Sequence, residues 1–182
     1  MKKLFSILIL TGFLSAAIAQ TAGESSNFTV KSTPKSVLNN KHLQPGNVIE
    51  KFNFKDLNGN TYTLESLKGK VVVLNFWFAS CKPCIEEVDK LNALVKKYAK
   101  SNVVFLSPTF ENADICKRFI TKYGLNTIVC PNQKTYAKQL ELIYYPTNIV
   151  LDKDGFVYKT FSGSTDYIEK VISVELDFLL RM

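Results

Sequence analysis

The spacing of apolar residues changes several times along the chain, and each change marks an element. Val71 to Phe78 is an unbroken β-branched and aromatic run, the pattern of a central strand covered on both faces. From Ile85 the apolar residues recur three or four apart through Val88, Leu91, Leu94, Val95 and Tyr98. Glu86, Glu87, Asp89, Lys96 and Lys97 fill the intervals, which predicts an amphipathic helix. Val103 to Leu106 reads as a second strand, Ala113 to Tyr123 as a helix ending at Gly124, Thr127 to Cys130 as a short strand and Gln133 to Leu142 as a third helix. Thr147 to Leu151 and Phe156 to Phe161 are strands around the turn Asp152-Lys153-Asp154-Gly155, and Thr165 to Leu180 is a closing helix. Upstream, Phe52 to Phe54 and Thr61 to Leu64 flank Asp56-Leu57-Asn58-Gly59-Asn60, a hairpin signal. Strands alternating with helices, followed by a hairpin and a helix, imply an α/β sandwich around a mixed sheet. No internal repeat and no low-complexity tract interrupts it.

The front of the chain has another character. Lys2 and Lys3 precede an apolar stretch from Leu4 to Ile18 that closes on Ala17-Ile18-Ala19, the pattern of a signal peptide (residues 1–19) cut after Ala19. A retained anchor is the alternative, and the stretch is short for it, since a membrane span needs about 20 apolar residues. Residues 20–44 are rich in Ser, Thr, Asn and Lys and read as a variable extension, leaving residues 45–182 as one domain. The formal net charge of +7 comes from lysines scattered through helices and turns, so a solvated basic surface is expected and not a nucleic-acid site. Export also favours disulfide chemistry, because disulfides persist outside the cytoplasm.

The strand at Val71 breaks directly into Cys81-Lys82-Pro83-Cys84, and the helical spacing starts at the second cysteine. A thiol at a strand-to-helix junction faces the unsatisfied N–H groups of the helix start, which stabilise its thiolate. Lys82 adds a cation beside it, and Pro83 suits the first helical turn, where its missing N–H has no intrahelical partner. Cys81 is thus the expected nucleophile toward a disulfide, and Cys84, one turn deeper, the resolving thiol. The motif fixes the reaction type and not its direction. A structural staple or half a zinc site is the bland alternative, and closing so small a loop stabilises little.

These residues carry a resemblance that covers roughly Pro45 to Leu180. Asn75-Phe76-Trp77 precedes the site, Cys81-Lys82-Pro83-Cys84 forms it, Glu87 follows one helical turn later, and Tyr145-Pro146-Thr147 with the Asp152 to Gly155 turn comes further on. Together they resemble the thioredoxin-like proteins of the TlpA/ResA type, exported thiol-disulfide oxidoreductases. The resemblance implies a thioredoxin-like sandwich, a central mixed sheet flanked by helices, with the N-terminal hairpin and, around Thr127 to Leu142, an inserted strand-helix unit. It implies a disulfide reductase acting on exported proteins, with disulfide donor or isomerase as the alternative direction. A membrane redox partner would recycle the dithiol, no cofactor or stable metal is needed, and a monomer is expected.

The same resemblance suggests that Glu87 tunes the thiols and moves protons; an exposed helix charge paired with Lys90 is the alternative. Asn75 stands where plain thioredoxins carry a buried aspartate, and it cannot titrate, which shifts that duty toward Glu87. Pro146 resembles the cis-proline beside the dithiol of this fold, and Tyr145 before it would pair with an extended substrate segment. Ser80 replaces the tryptophan common before the first cysteine, so a smaller apolar docking ledge is expected, and Trp77 is expected to pack.

Cys116 lies on the apolar side of its helix with Phe119, Ile120 and Tyr123, and Cys130 ends the next strand. Four cysteines allow three pairings. A structural bridge between Cys116 and Cys130 fits a working dithiol; two buried free thiols or a relay from the active site are the other readings. A copper carrier of similar fold would want wider cysteine spacing and a late histidine, whereas the one histidine here is His42. A thiol peroxidase would want a cysteine near Ser107-Pro108-Thr109, and none is there.

Overall fold

Two period-2 strands dictate how the layers assemble. In the computed structural model, which describes residues 40–182, strand β3 (Val71–Phe76) is buried along its whole length and occupies the middle of a five-stranded sheet. Its neighbours are β4 (Val103–Pro108), parallel to it, and β6 (Thr147–Leu151), antiparallel. Beyond them lie β5 (Ile128–Cys130), parallel to β4, and β7 (Val157–Ser162), antiparallel to β6, giving the order β5-β4-β3-β6-β7. The hairpin β1 (Asn53–Lys55) and β2 (Thr61–Thr63) pairs separately. Its turn is closed by Asp56, whose Oδ1 accepts from the N–H groups of Asn58 and Asn60, with Gly59 at φ 88°.

Side-chain alternation then sorts the core into two layers. Val71, Val73 and Val150 face helices α1 (Lys82–Lys97), α2 (Ala113–Tyr123) and α4 (Ile168–Arg181), packing with Leu91, Leu94, Phe119, Ile172 and Leu176. Val72, Leu74, Phe76 and Ile149 face the other way, onto Phe52, Phe54, Leu140 and Tyr136. Tyr136 lies on the short helix α3 (Lys134–Gln139) of the inserted unit and meets Phe54 edge-on at 5.0 Å. Tyr98 ties α1 to α4 by donating to the Asp177 carboxylate at 2.6 Å and to the Ser173 carbonyl at 3.0 Å.

Helices α1 and α2 and all five strands of the sheet fall within two residues of where the periodicity puts them; the closing helix starts at Ile168 and not at Thr165, and two further boundaries differ. Helix α3 stops at Gln139 and not at Leu142, because Glu141 adopts a left-handed φ of 51° and Leu142 donates back to the Ala137 carbonyl. Residues 40–44, read from the sequence as part of the extension, also pack on the domain. Leu43 is buried, Asn40 Nδ2 donates to the Leu140 carbonyl at 2.8 Å, and Thr160 holds the Leu43 carbonyl. The expected signal peptide and most of the expected extension lie outside the described residues.

Candidate active site

Strand β3 ends at Phe76, and the next residues carry the chain up to the N-terminus of α1. The turn is held at both sides: Cys81 N–H donates to the Phe78 carbonyl at 3.1 Å, and Ala79 N–H donates to Glu111 Oε1 at 2.9 Å. Cys81 is the N-cap of the helix, and its Sγ accepts the N–H of Cys84 at 3.2 Å. Cys81 and Cys84 form a disulfide, and each is 4 % exposed. The local field favours negative charge on the capping sulfur. It comes from the helix N-terminus more than from Lys82, whose side chain lies in solvent and sits 3.9 Å from Glu86.

Three residues past Cys84, Glu87 is turned inward and completely buried, while Glu86 beside it is exposed. Its partners are neutral amides and not Lys90. Asn148 Nδ2 donates to Oε1 at 2.8 Å, and Asn75 Nδ2 to Oε2 at 3.3 Å. Burial outweighs these donors and Lys90, and pushes the Glu87 carboxyl up to about 7. The exposed-charge alternative for Glu87 therefore does not describe it. Lys90 reaches instead to Asp166 and the Thr165 carbonyl.

The Tyr145-Pro146 bond is cis, and Pro146 is buried. Tyr145 belongs to an aromatic group contributed by three loops. Phe78 stacks on Phe110 at 5.5 Å, and Tyr145 stands edge-on to both, at 5.4 and 6.0 Å. Phe110 is exposed and the other two are partly so. The three rings together form an apolar surface built from the β3–α1, β4–α2 and pre-β6 loops. Sequence reasoning missed Phe110 because no spacing links it to the dithiol. Trp77 packs on Phe119 at 4.2 Å between centroids, in the core.

Cys116 and Cys130 are not bridged; both are buried free thiols. Alternation separates them, since Cys116 sits in the layer of the long helices and Cys130 in the layer of α3 and the hairpin. Burial pushes Cys116 up to about 11 and Cys130 up to about 12, so neither supplies thiolate at neutral pH.

Comparison with known proteins agrees with this geometry. Residues 45–160 match the AhpC/TSA family. A thiol-disulfide oxidoreductase ResA from Bacillus thuringiensis subsp. konkukian is 32 % identical over 141 residues, which cover 71 % of this chain and 79 % of that protein. The thioredoxin-like protein YneN of Bacillus subtilis is 30 % identical, over 74 % of this chain and 81 % of its own. Among solved structures, one from Chlorobium tepidum described as a thiol:disulfide interchange protein DsbE superposes with a TM-score of 0.70 at 18 % identity, covering 76 % of this chain and 99 % of its own, a likeness of fold.

Proposed function

This chain belongs to the AhpC/TSA family of thioredoxin-like proteins and is a thiol-disulfide oxidoreductase, and we propose that it works as a reductase of disulfides in exported proteins. The observation that carries the reading is the Cys81–Cys84 pair at the N-cap of α1 with the buried Glu87 carboxyl one turn behind it. In the reduced protein the Cys81 thiolate attacks one sulfur of a client disulfide. A mixed disulfide forms, and the first client thiolate leaves and takes a proton. Cys84 then gives its proton to Glu87 and attacks the Cys81 sulfur, releasing the second client thiolate and closing the Cys81–Cys84 bond. Two electrons pass to the client, and an outside reductant restores the dithiol.

Several finer points belong to the same reading. Cys81 is the nucleophile because it holds the capping position that accepts the Cys84 N–H. Glu87 is the proton acceptor because a carboxyl near neutrality exchanges protons readily. Tyr145 and Pro146 flank an extended client segment, with Phe78 and Phe110 beneath its side chains. The apolar run Leu4 to Ile18 directs export with cleavage after Ala19, the protein acts as a monomer, and a membrane partner recycles it.

The reduction potential tests the direction. A reductant falls near the thioredoxin value of about −270 mV, whereas a value near the roughly −120 mV of a dedicated disulfide donor would reverse the assignment.

A further inference from the structure

We infer that Asn148 and Asn75 are positioning residues of the thiol exchange, an amide clamp that holds both carboxylate oxygens of Glu87 so that it takes up and returns the Cys84 proton. This deepens the reading above and rests on its assignment of Glu87 as proton acceptor.

The clamp follows from strand alternation. Asn75 continues the Val71, Val73 face of β3; Asn148 precedes Val150 on the same face of β6; Ser107 follows Phe105 on β4; and Thr127 stands two residues before Val129, which is in β5. Asn75 and Asn148 are register partners. A polar row therefore crosses an otherwise apolar face directly under α1, with Asn75 3 % exposed and Ser107, Asn148 and Glu87 fully buried.

Each member of the row fixes the orientation of the next. Thr127 and Ser107 share a hydroxyl contact at 2.6 Å, and Ser107 Oγ donates to Asn75 Oδ1 at 3.4 Å. With its oxygen so occupied, Asn75 must turn its NH₂ toward Asn148 Oδ1, at 2.9 Å, and Glu87 Oε2. Asn148, accepting at its own oxygen, must likewise turn its NH₂ to Glu87 Oε1. Both amides thus present donors, a geometry that favours the carboxylate against the pull of burial. The facing strands supply only neutral groups to Glu87, and the charge that acts on it is Lys90 of its own helix, itself paired with Asp166 from the chain before α4. An amide cannot hand a proton along, so the row is no proton wire; its outer end, Thr127, lines a surface cavity of about 350 Å³ and anchors the orientation.

The test is the titration of Glu87 in the full chain, read by NMR of side-chain-labelled glutamate in the oxidised protein. Asn148→Leu keeps the branched shape of the side chain and removes one donor. Its Glu87 midpoint is expected at least one pH unit above that of the unmodified protein, a tenfold higher proton affinity, and the pH profile of turnover should move up with it. Asn148→Ser, which retains a short donor, should recover part of the shift. A midpoint within a factor of two of the unmodified protein in folded Asn148→Leu would overturn the clamp. If Asn148→Leu does not fold, Ser107→Ala decides: freeing Asn75 to flip must raise the midpoint, and no change overturns the inference. A turnover profile insensitive to Glu87→Gln would instead sink the assignment of Glu87, and the titration of the clamp would read out independently.

Discussion

Asn148 donates to Glu87 across 2.8 Å from the strand that follows the cis Tyr145-Pro146 bond, so the cis-proline and the hold on the buried carboxylate lie two residues apart in the chain. Burial makes the charge of Glu87 responsive to pH in the neutral range, with the Asn148 donor pulling the other way, and the consequence for stability has a definite sign. Glu87 is raised from 4.5 to about 7 in the folded chain, so between those values the folded state binds the extra proton. Stability is therefore full below about 4.5 and declines as pH rises from there through about 7. Removing the charge with Glu87→Gln should flatten that slope, so that stability no longer declines between pH 5 and pH 8; its amide NH₂ meets one of the two Asn donors, so the lost pH dependence and not the absolute stability is the readout. Denaturant melts at pH 5 and pH 8 check this.

Glu87→Gln should also slow the second thiol-exchange step at neutral pH while leaving attack by Cys81 nearly unchanged. A loss of about a hundredfold fits removal of a proton acceptor, at the low end of what general acid–base groups contribute. Single-turnover kinetics with a peptide disulfide separate the two steps.

Phe110 is more exposed than a ring in the core and is held by Phe78 and Tyr145. If this group supports client side chains, Phe110→Ala raises KM for a protein disulfide about two- to tenfold, consistent with the 0.5–1.5 kcal/mol or so that an aromatic contact contributes. Reduction of a small disulfide such as cystine should change little. Equal effects on both substrates would point to disturbance of the loop.

Cys116 and Cys130 are buried, and burial holds both thiols protonated well above neutral pH. Thiol titration of the reduced native protein should count two fast thiols and then two that react only on unfolding. Four fast thiols would contradict their placement.

Much of this was legible in the sequence. The apolar run into Cys81-Lys82-Pro83-Cys84 placed the dithiol at a helix start, and the three-and-four spacing from Ile85 set α1. Glu87 could be singled out but not decided, since Glu86 and Glu87 are equivalent by charge and only the facing of α1 onto β3 separates them. Asn148 was legible in retrospect, as a polar residue at a buried-strand position opposite Asn75, but register between strands 73 residues apart is not written in local spacing. The state of Cys116 and Cys130 depends on which face of the sheet each occupies, again a matter of tertiary alternation. The packing of residues 40–44 onto the domain escaped because the residues that hold them, Leu140 and Thr160, are distant in the chain.

Trapping tests the central claim most directly. In Cys84→Ser the mixed disulfide cannot be resolved, so the account predicts that Cys81 accumulates covalent, reductant-sensitive complexes with client proteins, and that Cys81→Ser traps none. Complexes formed as readily by Cys81→Ser, or none formed by Cys84→Ser while Cys81→Ser keeps its activity, would contradict it.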